Sequence, residues 1–272
     1  STVETEDVRW LWRYYIPLGK VIVLDGDPGL GKSTLTLDIA ARVSAGKPMP
    51  DGSVGLRAGV VLVNLEDDLS DTIRPRLEAH GADLNRILSL QSVFEGGVNR
   101  LLTLPDDSDV LRKAVRQVNA KLVVIDPLMA ALSGSIDSYK DQHVRRALAV
   151  LTDLASETGA ALLAVRHLNK TAAGNPMYRG GGSIGFVAAA RAAFLVAKDP
   201  IQVDARVLAP TKSNLGPEPQ SLCFTVEADE GVARVSWKGA STHTARSLLA
   251  EPSRPGGEGK ALAEAKKFLR EV

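Results

Sequence analysis

Apolar positions along this chain fall into two alternating patterns. Val21–Gly26 (VIVLDG) is a short apolar run that stops at glycine, the pattern of a buried strand. In Ser33–Gly46 (STLTLDIAARVSAG), Leu35, Ile39 and Val43 recur at four-residue steps and the run closes on glycine, which predicts a helix. Gly59–Leu65 (GVVLVNL) reads as the next strand, and a helix follows from Leu69 to His80, closed by Gly81. Asp109–Ala120 predicts a helix that leads into the strand of KLVVIDPLMA, Lys121–Ala130. Asp141–Gly159 is a longer amphipathic helix, and Ala160–His167 (AALLAVRH) is another strand. Unbroken apolar strands alternating with helices predict a mainly parallel sheet covered on both faces.

From Arg191 the pattern changes to four strand-like runs between turn signals: RAAFLVAKD, DARVLAPTK, QSLCFTVEAD and GVARVSWKG. They predict an antiparallel extension of the same sheet, within a single α/β domain over residues 1–240. Residues 241–272 read as a linker and a C-terminal helix. Glu251–Lys260 (EPSRPGGEGK) has linker composition, and ALAEAKKFLREV sets Leu262, Ala265 and Leu269 on one helical face. That helix is either the start of a truncated domain or a docking arm.

Composition narrows the picture. The 272 residues are 44% hydrophobic and 24% charged, the proportions of an ordinary globular protein. A formal net charge of +1 means that any nucleic-acid surface is a local patch. The single cysteine, Cys223, excludes an internal disulfide framework. No run reaches the ~18 apolar residues of a membrane span, and the N-terminus lacks a signal-peptide pattern. The expectation is a cytoplasmic protein with no membrane partner.

The chemistry begins at Gly26–Ser33 (GDPGLGKS), which fits G-x-x-x-x-G-K-[ST] between a predicted strand and a predicted helix. In that context Gly26, Asp27, Pro28, Gly29, Leu30, Gly31, Lys32, Ser33 and Thr34 form a phosphate cradle for ATP. Lys32 would reach the β- and γ-phosphates, and the Ser33 hydroxyl would join the shell of Mg²⁺. Asp126, ending an apolar strand, stands where a metal-organising carboxylate belongs, the other reading being an aspartate that caps the following turn. Pro127 follows directly, where many phosphate-loop enzymes carry a second acid. The strand ending in Glu66, Asp67 and Asp68 offers a substitute at the same sheet edge. Spacing alone leaves two readings of that acidic run: a water-activating Glu66, or charges favouring the start of the next helix.

The ordered set of motifs resembles RecA-like P-loop ATPases, in particular the RepA-type hexameric replicative helicases of plasmids and prophages. The likeness covers roughly Trp10 to Lys238 and includes YYIPLGKVIVLDGDPGLGKSTLTLDIAARVSAGKPMPDG, VVLVNLEDD, LVVIDPLMA, LLAVRHLNK, YRGGGSIGFVAAARAAFLV and LAPTKSNLGPEP. The resemblance implies that Glu66 is the catalytic base and that His167 senses the γ-phosphate. Residues alone favour reading His167 as a surface histidine that caps its strand. It also implies basic fingers donated in trans, with Arg206 and Lys212 as candidates; Asn214 stands where relatives often carry the arginine. Two segments, Ser133–Arg146 and Asn169–Gly185, resemble central loops that touch single-stranded DNA. In the second, Lys170, Tyr178 and Arg179 are the candidate contacts; read alone, it is equally a glycine-rich surface loop. The implied function is an ATP-hydrolysing motor, a ring of identical subunits (a hexamer, by the resemblance) acting on single-stranded DNA. The alternative is a RecA-like assembly or regulatory ATPase that separates no strands.

Overall fold

The computed structural model describes residues 5–136, 140–168 and 185–250. A short ribbon of β1 (Trp10–Trp12) and β2 (Ile16–Pro17) precedes β3 (Val21–Gly26) and α1 (Lys32–Ala45). β4 (Gly59–Asn64) leads through a π-helical turn, Leu69–Ile73, into α2 (Arg74–Ala79). Then come β5 (Ile87–Leu90), a hairpin of β6 (Ser92–Glu95) and β7 (Val98–Leu101), and α3 (Ser108–Gln117). β8 (Ala120–Asp126) is followed by α4 (Leu128–Ala131), α5 (Asp141–Thr158) and β9 (Ala161–His167). The remaining elements are α6 (Gly185–Ala189), β10 (Ala192–Lys198), β11 (Ala205–Ser213), β12 (Ser221–Asp229), β13 (Val232–Ser241) and α7 (Ala245–Leu249).

Nine strands make one sheet in the order β13-β12-β11-β10-β3-β9-β8-β4-β5. Neighbours from β10 to β5 are parallel, and β11 to β13 extend the sheet antiparallel. On one face Leu35, Ile39 and Val43 of α1 pack on Ile22, Leu24, Leu62, Val124 and Val165. On the other, Leu148, Leu151 and Leu154 of α5 pack on Val21, Val61, Val123 and Leu162. Burial on both faces explains why these strands read as unbroken apolar runs. Trp12 stacks on Tyr15 at 4.1 Å and meets Trp237 edge-on at 6.2 Å, which fastens the N-terminal ribbon to the extension. Among the described residues, no helix is long and apolar enough to cross a membrane.

The structure departs from the sequence reading in places. The run at 191–199 belongs to β10, which is parallel to β3 and antiparallel to β11, so it is the junction between the two parts of the sheet. The helix expected over 69–80 starts where expected, with the Asp68 side chain accepting from the Ser70 and Asp71 amides, but its first stretch, Leu69–Ile73, is π-helical and α2 follows from Arg74. From Asp141 onward the first candidate DNA loop is already α5. Packing continues past residue 240, since Ala245 of α7 lies against Val207 and Ala209.

Candidate nucleotide site

The site lies where β3, β9, β8 and β4 end side by side. Register pairs Gly26 with His167 and Asn64 with Asp126, so the phosphate loop and the candidate polar groups share one sheet edge. The strand after the phosphate loop, β4, does not neighbour β3; β9 and β8 lie between them. That separation puts His167 nearest the loop, Asp126 next, and Glu66 on the turn beyond β4.

The loop itself depends on two glycines. A Cβ on Gly26 would sit 2.6 Å from the Val196 carbonyl oxygen, so only glycine lets β3 pass β10 this closely. Gly31 caps α1 with φ 79°, the left-handed region that favours glycine. Asp27, Pro28 and Gly29 are exposed, whereas Leu30 is buried and anchors the turn. α1 begins at Lys32, so the unpaired amides of its first turn, including Ser33 and Thr34, face the loop.

Lys32 is buried. Its Nζ donates to the Gly26 and Asp27 carbonyls, each at 2.8 Å, and lies 3.1 Å from Nδ1 of His167. An ammonium can only donate, so Nδ1 accepts and the proton of a neutral imidazole resides on Nε2. Nε2 in turn faces the Glu66 carboxylate at 3.8 Å. Lys32, His167 and Glu66 therefore form one polar line across the edge. Burial and then the neighbouring Lys32 charge hold His167 below the usual imidazole range, while Glu66 opposes this. Burial likewise lowers Lys32, offset by Asp126, Asp27, Asp25 and Glu66.

Asp126 is 4% exposed, and its carboxyl is pushed up to about 6, first by burial and further by Glu66 and Asp67. A hydrogen bond from Ser33 and the charge of Lys32 pull the other way. A buried carboxylate next to a hydroxyl at the head of α1 is an oxygen donor set suited to a hard cation such as Mg²⁺. Among the described residues no three His, Cys, Asp or Glu side chains are grouped to hold a metal. Ser33 and Asp126 would thus share Mg²⁺ with phosphate oxygens, and the cation would supply charge neutralisation at the phosphates.

Asn64 was not anticipated. It is buried, and its side-chain oxygen accepts from the Glu66 and Asp67 amides at 3.2 and 2.9 Å, folding the turn that presents Glu66. An asparagine ending a strand just before an acidic run was the available signal. Asp67 pairs with Arg76 at 3.3 Å, and Asp68 caps the following turn, which leaves Glu66 as the acid of that run facing His167.

The remaining candidates lie elsewhere. Arg206 pairs across from Lys198, at the same edge as the phosphate loop, and donates to the Asp204 carbonyl. Lys212 sits at the far end of β11, opposite Ala193, and its Nζ donates to the Val187 and Ala188 carbonyls of α6 at 2.8 and 2.9 Å. Burial and then Arg191 lower the Lys212 ammonium. Lys170, Tyr178 and Arg179 fall outside the described residues, as does the C-terminal helix of the sequence reading.

A mainly parallel sheet with a phosphate loop after β3, and a buried acid two strands away, defines a RecA-like P-loop ATPase core. A family model described as an AAA domain (AAA_25) matches residues 1–173. The chain belongs to that family. It is also similar to proteins named DNA repair protein RadA. That of Halalkalibacterium halodurans is 26% identical over 157 residues, 57% of this chain and 29% of the relative. Those of Bacillus subtilis and Streptococcus pneumoniae are each 26% identical over 154 residues, 56% of this chain and 28% and 31% of the relatives. The chain thus spans about three-tenths of the length of the curated relatives it matches.

Proposed function

We propose that this protein is an ATP-driven motor of the RepA-type helicase class, a ring of identical subunits that moves on single-stranded DNA. The observation that carries the reading is the polar line Lys32–His167–Glu66 beside the buried pair Ser33–Asp126. It separates the two acids: Asp126 serves the cation, and Glu66 is positioned to take a proton from a water attacking the γ-phosphate. His167, neutral and oriented by Lys32, would donate from Nε2 once phosphate draws Lys32 away. Similarity to proteins named for DNA repair supports nucleic acid as the partner.

The fingers follow from strand direction. Arg206 stands at the chain's own phosphate edge, whereas Lys212 stands at the far end of β11, which favours Lys212 as the group offered to a neighbour. Turnover of ATP by purified protein, with and without single-stranded DNA, tests the proposal. Single strands should raise turnover, Lys32→Ala should abolish nucleotide binding, and Glu66→Gln should bind ATP normally yet hydrolyse it roughly 10²–10⁴-fold more slowly. Normal hydrolysis by Glu66→Gln would remove Glu66 as the base. Turnover indifferent to DNA would favour the assembly ATPase instead.

A further inference from the structure

Two charges interrupt otherwise apolar strands one residue below the phosphate site. Asp25 and Arg166 are direct register partners, and the next pair along is Gly26 and His167. Arg166 grips the Asp25 carboxylate through two nitrogens at 2.8 and 2.9 Å, and both side chains are buried. Because side chains alternate along a strand, this pair lies on the sheet face away from α1 and the phosphates. It holds no nucleotide. What it does is clamp β3, which carries the phosphate loop, to β9, which carries His167.

The other side of the guanidinium meets α6. The Arg166 guanidinium carbon lies 4.8 Å from the centroid of the Phe186 ring, and Phe186 is fully buried. At its far end α6 receives Lys212 on the Val187 and Ala188 carbonyls. The chain enters α6 directly from residues 169–184. A cavity of about 550 Å³ borders the same place, lined by Asp25, Leu168, Val187, Leu195, Pro210 and Thr211 among others. Thr211 Oγ1 is buried there without a hydrogen-bond partner among the described residues. Close-packed interiors resist displacement, so the open space beside α6 gives that helix room to shift.

A buried ion pair adds little net stability over apolar packing, but it imposes geometry that apolar contacts do not. We infer that Arg166 is a positioning residue that ties the ends of β3 and β9 to α6 through Phe186, so that nucleotide at Lys32 and His167 and the placement of α6 change together. Coupling of this kind is reciprocal: whatever moves α6 alters nucleotide affinity by the same factor. This deepens the proposed function, and its extension to DNA rests on strand contact by residues 169–184.

The test is backbone hydrogen exchange at residues 185–190 of the full chain, with and without a saturating non-hydrolysable ATP analogue and Mg²⁺. In wild type the nucleotide should change exchange there by about fivefold or more. Phe186→Leu should bind the analogue within about twofold of wild type yet lose that response. Arg166→Lys, which keeps the charge but loses the planar fork, should lose it as well. If Phe186→Leu does not fold, Phe186→Met takes its place. Exchange unaffected by nucleotide in wild type, or a response that survives in the Phe186 and Arg166 variants alike, overturns the inference. A wild type whose α6 responds to nucleotide but whose turnover ignores single-stranded DNA would sink the DNA reading and leave the tie standing.

Discussion

Asp126, the proposed cation ligand, shows what a buried carboxylate costs its own fold. Its carboxyl titrates near 6, well above an ordinary aspartate, because burial penalises the charge more than Ser33 and Lys32 compensate it. A folded-state value raised in this way favours folding at acid pH, and that contribution is lost as the pH rises through about 6. At neutral pH the ionised carboxylate therefore costs the fold on the order of 3 kcal/mol. Asp126→Asn should raise the thermal midpoint near neutral pH by roughly 2–4 °C per kcal/mol recovered. The gain should fall to about half by pH 5 and vanish below about pH 4, where the unfolded chain carries the proton as well, and Mg²⁺-dependent turnover should be lost throughout. Calorimetry of both proteins across this range checks it. A variant no more stable than wild type at neutral pH would mean that Asp126 is already compensated. The position of this acid was legible as the polar end of an apolar strand, but its titration was not. Burial depends on β4, β9 and α1 packing around it.

At the scale of elements, α2 is held to a hairpin far away in sequence. His80 is buried; its Nδ1 lies 2.6 Å from the Arg76 carbonyl, and its Nε2 accepts from the Val235 amide of β13 at 3.0 Å. Both bonds together require the neutral ring with its proton on Nδ1. Burial depresses the imidazole below its ordinary value, aided by Arg234 and Arg42 and opposed by the Arg76 carbonyl and Asp38; the Lys47 ammonium rests on the His80 carbonyl. The unfolded chain then takes up the proton first, so stability is intact above about pH 6.5 and falls as the pH drops below it. Asp126 titrates in the same window with the opposite sign, so the informative quantity is a difference. His80→Gln should lower the midpoint at neutral pH by removing these bonds, and the gap to wild type should narrow toward pH 5.5, to be read by thermal melts. A gap independent of pH would show that His80 does not titrate against the fold. The helix was visible in the sequence; its seam with β13 was not, because the bonded groups stand 155 positions apart.

At the scale of the molecule, a site assembled on one open sheet edge invites completion by a second copy. Each interface of a ring would need an intact phosphate loop from one subunit and an intact finger from the next. Lys32→Ala and Lys212→Ala should each be nearly inactive alone. Mixed in equal amounts and allowed to reassemble, they should recover about a quarter of wild-type turnover, the share of interfaces that chance leaves whole. No recovery, in mixtures shown by light scattering to contain rings, would place Lys212 in structure rather than in catalysis. Its present hold on the α6 carbonyls is the alternative employment.

The sequence by itself determined the alternation of strands and helices, the phosphate loop, and the acid that ends β8. Each is written in local spacing: apolar runs, four-residue steps, and glycines where the chain turns back. Tertiary structure decided which strands neighbour one another, and therefore which polar groups meet. The insertion of β9 and β8 between β3 and β4 aligns Lys32, His167 and Glu66, and brings Arg166 onto Asp25 across 141 positions of chain. No window of sequence contains those distances. They arise because strands buried on both faces find their order through the helices that cover them.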